Sequence, residues 1–207
     1  MIFFRQNLHE VITLPDAPIL NEDEAHEVKI VVSKRTAENV ESIMRHDQEP
    51  YYAIRLICER ENLKFHDGEF TQIIKESVPT IRWFKDYYNR PRPIEVDPTI
   101  QTLPSKTNST RAYPSGHACQ ARILARYVSG KYPKFEKELI KAGNECGWGR
   151  VQAGFHYPSD YEIGNLLGEK MFFLMNRMNY QAELPEDTAI GTRIKFKDLS
   201  KSLKELF

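Results

Sequence analysis

Lys85, then six residues, then Arg92-Pro93 form the first of three stretches whose side chains suit a phosphate ester. An ammonium is a point charge, and a guanidinium is a planar fork that can hold two phosphoryl oxygens at once. The second stretch is Pro114-Ser115-Gly116-His117. Proline and serine ahead of a helical run mark a helix start, the free N–H groups there make an anion site, and Gly116 lets the backbone approach a ligand closely. His117, in the first turn, stands where it can give a proton to a leaving oxygen. The third stretch is Arg150, five residues, His156, three residues, Asp160. Pro158 suits the first helical position, which puts His156 just outside the helix and Asp160 in its first turn. A carboxylate there can reach back to the imidazole Nδ1–H, set the tautomer, and leave the Nε2 lone pair outward, as a nucleophilic histidine requires. Read singly, each stretch has a plain structural account: a solvated basic helix end, an ordinary N-cap beside a surface histidine, a His–Asp helix cap. Their coincidence in one chain favours a phosphoryl site.

The elements that must carry these residues read as helices. From Thr36 the pattern is helical, with Val40, Ile43 and Met44 on one face; Pro50 starts a second helix with Ile54, Leu56 and Ile57. A third runs from about Gly68 through Phe70, Ile73, Ile74, Val78, Ile81 and Phe84, and Pro79 inside it should kink or split it. The alternating prolines of Asn89-Arg90-Pro91-Arg92-Pro93 force an extended chain, followed by a polar loop over 94–113. A loop of that length is expected to be functional or disordered, and Arg111 and Tyr113 could line a substrate mouth while Arg90 reaches a second phosphate or faces solvent. Helices then begin near Ser115, near residue 134 and at Pro158. No alternating run suggests a sheet. The predicted class is all-α, a helical bundle of about six core helices (36–184), with an N-terminal arm (1–35) and a C-terminal tail (185–207) that packs on the domain or a partner.

The totals narrow the function. Lys+Arg 29 balance Asp+Glu 29, so no global charge recruits nucleic acid or an anionic membrane, and any anion selectivity must be local. Hydrophobic content of 41% supports a core, and no apolar run approaches the roughly 20 residues of a membrane helix. Met1-Ile2-Phe3-Phe4 is followed at once by Arg5, so no signal peptide is expected. Cys58, Cys119 and Cys146 are odd in number and lack a CxxC pair, which reads as reduced packing thiols. The expectation is a soluble cytoplasmic protein. Its N-terminal arm and the weak stripe of Leu199, Leu203 and Leu206 could dress a homodimer contact.

Together the three stretches resemble the signature of the type-2 phosphatidic acid phosphatase superfamily. That superfamily also holds the bacterial class A nonspecific acid phosphatases and the vanadium-dependent haloperoxidases. The matching positions are Lys85, Arg92 and Pro93; Pro114, Ser115, Gly116 and His117; and Arg150, His156 and Asp160. The resemblance implies that Lys85, Arg92 and Arg150, with the amides near Ser115 and Gly116, surround the phosphoryl oxygens. It further implies that His156 attacks to form a phosphohistidine, that His117 protonates the leaving group, and that Asp160 offsets the charge on His156. No cofactor or metal is then required, and vanadate should act as inhibitor or phosphate mimic. The implied partner is a small phosphorylated substrate. One position departs: the family's serine ahead of the arginine is Gly149 here. The lost hydroxyl would have made a charge-assisted hydrogen bond of about 1.5–3 kcal/mol.

Three other readings stand beside this one, and the first two carry their own tests. A haloperoxidase would hold vanadate in the same cup and oxidise bromide with peroxide. A helical interaction protein with a residual pocket would bind no phosphate. A zinc site of His117, His156 and Cys146 lacks recognisable ligand spacing.

Overall fold

The computed structural model describes residues 2–4, 7–19 and 21–182, with side chains as far as 177. The tail stripe of Leu199, Leu203 and Leu206 lies outside the described residues. Among them there are helices and turns and no strand: α1 (Asn21–Ser33), α2 (Ala37–Gln48), α3 (Tyr52–Arg60), α4 (Asp67–Tyr88), α5 (Pro93–Val96), α6 (Gly116–Lys131), α7 (Glu136–Gln152) and α8 (Pro158–Ala182). The expected helices all occur. Two more occur with them: α1, within the stretch read as an arm, and the short α5 at the start of the polar loop.

Local sequence explains where the helices start and stop. Thr36 caps α2 through a capping box, its Oγ1 accepting from Asn39 N–H while the Asn39 side chain accepts from Thr36 N–H. Ser115 caps α6, its Oγ accepting from Ala118 N–H. Asn89 ends α4 in the left-handed region at φ 47°, which turns the chain directly into the Arg90–Pro93 segment. Pro79 does not split α4, which runs on as one helix of 22 residues to Tyr88. Continuity through Pro79 is what delivers Lys85 to the site.

α6 is the central element, packed along both α7 and α8. Its contact with α8 needs glycine. A Cβ on Gly164 would stand 2.5 Å from the Ser115 carbonyl oxygen, and one on Gly168 would stand 2.7 Å from the Cys119 carbonyl oxygen. The backbones therefore approach as closely as they can just where the second and third motifs meet. The main core joins Phe70, Ile73, Ile81 and Phe84 of α4 to Ile123 and Leu124 of α6, Leu139 of α7, and Leu167 and Met171 of α8. Phe3, Phe4, Leu8, Ile12 and Leu14 enter the same core, and the Glu76 carboxylate anchors that segment by accepting from the Phe3 and Phe4 N–H groups. Each fully buried side chain of this size contributes about 1.5–3 kcal/mol.

Candidate active site

Five helix ends converge on His156. Lys85 comes from the last turn of α4, Arg92 from the cap of α5, Ser115 to His117 from the start of α6, Arg150 from the last turn of α7, and Asp160 from the first turn of α8. Lys85, Arg92, Arg150 and His156 are 5%, 6%, 1% and 2% exposed. Cations this deep need partners, and the polypeptide supplies carbonyls. The Lys85 ammonium donates to the Arg111 and Ala112 carbonyls. Arg92 donates through Nε to the Thr110 carbonyl and through Nη1 to the Phe155 carbonyl, each at 2.6 Å. The loop over 94–113 is thus tied into the site along its second half.

His156 is held from both sides. Its Nδ1 lies 3.1 Å from Asp160 Oδ2, and its Nε2 lies 2.9 Å from Arg92 Nη1. A guanidinium only donates, so Nε2 must be the acceptor and the ring proton must sit on Nδ1. The ring is neutral with its lone pair turned toward the cations. Burial first, then the charges of Arg92, Lys85 and Arg150, hold its pKa well below the ordinary value. The carboxylate that fixes it is surrounded by donors alone: Arg90 Nη1 at 2.7 Å, Tyr157 N–H at 2.9 Å and the imidazole. Burial pushes the Asp160 carboxyl up to about 6, with Arg90 opposing, so it is ionised at neutral pH.

His117 is partly exposed, and its Nε2 lies 3.2 Å from the Asp47 carbonyl oxygen. Burial of the ring and then Arg150 lower it to about 3, so it too is neutral at pH 7 in this arrangement. Gly116 faces the Lys85 stem, a Cβ there standing 4.0 Å from Lys85 Cε. Ser115 N–H donates to the Asp160 carbonyl at 2.9 Å, stitching α6 to α8 beneath the histidines. Arg150 has its guanidinium 4.6 Å from the centre of the Phe155 ring, pairs with Asp47, and donates to Thr107 Oγ1 at 2.9 Å; its buried Nε has no partner. Every residue singled out in the three motifs lies in this one cluster. His117, His156 and Cys146 do not form a metal cage, and among the described residues no group of three or more His, Cys, Asp or Glu side chains could hold a metal ion.

A scan against protein families matches residues 71–183 to the model of the PAP2 superfamily, more than half of the chain and all three motifs. The chain belongs to the PAP2 superfamily. Two curated relatives, non-specific acid phosphatases of Salmonella typhi and Salmonella typhimurium, are each 35% identical over 91 residues, 42% of this chain. That match spans 36% of each relative's length. A solved structure titled as the first transmembrane PAP2 type phosphatidylglycerolphosphate phosphatase, from Bacillus subtilis, superposes with a TM-score of 0.57 at 18% identity, covering 81% of this chain and 89% of that one. The PAP2 helical fold is therefore shared, although no described helix here is long and apolar enough to cross a membrane.

Several members of the PAP2 cluster escaped the motif reading. Arg90 neither reaches for a second phosphate nor faces solvent. It is 2% exposed, grips Asp160, Ser159, Glu24 and Asn21, and stacks 3.9 Å from the centre of the Tyr157 ring. Tyr113 does not line a mouth; it is fully buried and donates to the Pro15 carbonyl at 2.8 Å. Arg111 does lie at the surface, paired with Glu95. Glu24 and Asp47 sit 61 and 38 residues before Lys85 in the chain, with no motif to mark them.

Proposed function

We propose that this PAP2 chain is a phosphomonoesterase that hydrolyses small phosphate esters without a metal, through a phosphohistidine on His156. The observation that carries the reading is the double restraint on that ring. Asp160 takes the Nδ1 proton as acceptor and Arg92 marks the direction of the Nε2 lone pair, which points into a cluster of three cations. Such a cluster supplies the positioning and charge neutralisation that phosphoryl transfer chiefly demands. The names of the two Salmonella relatives support the same reaction class.

In the proposed first step the Arg92 Nη1–H turns from Nε2 to a phosphoryl oxygen, and the freed lone pair of His156 forms the N–P bond. The ester P–O bond breaks, and His117 delivers a proton to the leaving alcohol. A bound dianion reverses the repulsion that keeps His117 neutral and raises its pKa toward the working range. In the second step His117 takes a proton from water, whose oxygen attacks phosphorus and releases orthophosphate from His156. One histidine starts neutral and the other protonated, so the rate profile should be bell-shaped on the acid side of neutrality.

The test is hydrolysis of p-nitrophenyl phosphate in EDTA, with alkaline-quenched trapping of labelled phosphate on the protein, since the N–P bond of a phosphohistidine survives base and hydrolyses in acid. Turnover, label on His156 and inhibition by orthovanadate are expected. Full activity in His156→Ala would end the proposal.

A further inference from the structure

Asp47 is an acid in the last turn of α2, where the helix dipole disfavours a negative charge, and it is 8% exposed. One oxygen of its carboxylate, Oδ1, is nevertheless held by three donors. It pairs with the Arg150 guanidinium and accepts from Ser105 Oγ at 2.8 Å and Thr107 Oγ1 at 2.9 Å. A guanidinium and two hydroxyls are the donors an oxygen of a phosphoryl group would seek. The main chain of the same residue takes up the second motif, since the Asp47 carbonyl lies 3.2 Å from His117 Nε2. One residue therefore engages both a phosphate-binding cation and the proposed proton donor.

The position is built into the helix. Ile43, one turn earlier on α2, packs against Gly149, its Cγ1 3.6 Å from where a Cβ would stand. Residues 43 and 47 of α2 thus lie over residues 149 and 150 of α7, beside the very position at which this chain lacks the family's hydroxyl. Ser105 and Thr107 approach from the solvent side, Thr107 itself being exposed.

We infer that Asp47 is an internal anion that competes with the substrate's phosphoryl group for Arg150, so that binding requires its carboxylate to leave the guanidinium and its carbonyl to release His117. This rests on the phosphatase reading of the site. The exchange favours a phosphoryl dianion over a monoanion, because the incoming group must outbid a carboxylate already held by three donors. It also moves the Ser105–Thr107 segment, whose hydroxyls are held by Asp47.

The experiment is calorimetric titration of orthophosphate into the wild-type chain and Asp47→Asn, beside kinetics on p-nitrophenyl phosphate. Hydrogen exchange over residues 103–110 is followed in the wild type with and without orthovanadate. Asp47→Asn should bind phosphate about five- to tenfold more tightly, as a charged acceptor gives way to a neutral one, with a matching fall in KM. Orthovanadate should speed exchange over 103–110 in the wild type, and that arm stands alone if Asp47→Asn does not fold. Equal or weaker phosphate binding by Asp47→Asn, or slowed or unchanged exchange, overturns the inference even where the wild type hydrolyses the ester. A wild type that binds phosphate without hydrolysing it defeats the phosphatase reading and leaves the affinity comparison to judge Asp47. Binding by neither protein overturns both.

Discussion

Arg90 Nη1 donates to Asp160 Oδ1 at 2.7 Å, so the carboxylate that orients His156 is itself oriented by a buried cation. Glu24 extends the chain by accepting from Arg90 Nη2, and it holds Ser159 through both the hydroxyl and the N–H. The line Glu24, Arg90, Asp160 alternates in charge and ends on the neutral ring of His156. Removing Arg90 leaves Asp160 buried beside one donor fewer. Arg90→Ala should cost about 3–5 kcal/mol in a urea melt. Arg90→Lys should recover part of that stability while kcat stays depressed and KM changes little.

Asp160→Asn presents either an amide N–H or a carbonyl to Nδ1. The amide can force the imidazole proton to Nε2, which removes the lone pair from the reacting side. In a triad of the same logic such a change costs on the order of 10⁴-fold in kcat. Single-turnover kinetics should show the loss in the chemical step, with orthovanadate affinity reduced far less.

Gly149 offers space for the family's serine. A Cβ there meets only Ile43 at ordinary contact distance, so Gly149→Ser should fold with an unchanged melting temperature. Its hydroxyl adds a donor beside Arg150, and KM for a small phosphate ester should fall about tenfold. An unchanged KM would show that this hydroxyl has no phosphoryl oxygen within reach.

Gly164 has no such room. Its missing Cβ would lie 2.5 Å from the Ser115 carbonyl, and the Ser115 N–H is the link to Asp160. Gly164→Ala should destabilise by about 1–3 kcal/mol and lower kcat by spreading α6 from α8. A circular-dichroism melt and steady-state kinetics on the same preparation test both effects.

Acid should unfold the protein early. Burial lowers His46 to about 4 and His117 to about 3, and holds His156 well below its usual value. The unfolded chain takes up protons near 6.5 while the folded one refuses them, so stability is full above that pH and falls as pH drops toward 4. Each histidine contributes a slope of about 1.4 kcal/mol per pH unit. Asp160, raised to about 6, works the other way between about 6 and 3.8 and offsets one of the three. Urea midpoints at pH 7, 6 and 5 should therefore decline together, and a constant midpoint would show that these rings titrate freely.

The legible parts of this fold are local ones. Apolar residues at helical spacing mark α2, α3, α4 and α6, and Thr36, Ser115 and Pro158 mark starts, because each signal acts within one or two turns. The α1 pattern of Ala25, Val28 and Val32 is equally local, but short apolar pieces broken by Pro15 and Pro18 read as an arm. Pro79 is expected to kink or split the helix, yet α4 runs through it unsplit, because Ser77, Thr80, Ile81 and Phe84 around it are buried and their packing outweighs the lost hydrogen bond.

The positions that meet in the cup could be read along the chain, because the proposed nucleophile, its carboxylate and its cations must be particular residue types at short fixed spacings. The partners of those positions could not. Asp47 meets Arg150 across 103 residues and Arg90 meets Glu24 across 66, and no periodicity or motif encodes a contact made only when α2 and α1 pack against the ends of α7 and α8. Charge in a buried place must be balanced by whatever the folded backbone brings near, and that selection is made by packing in three dimensions.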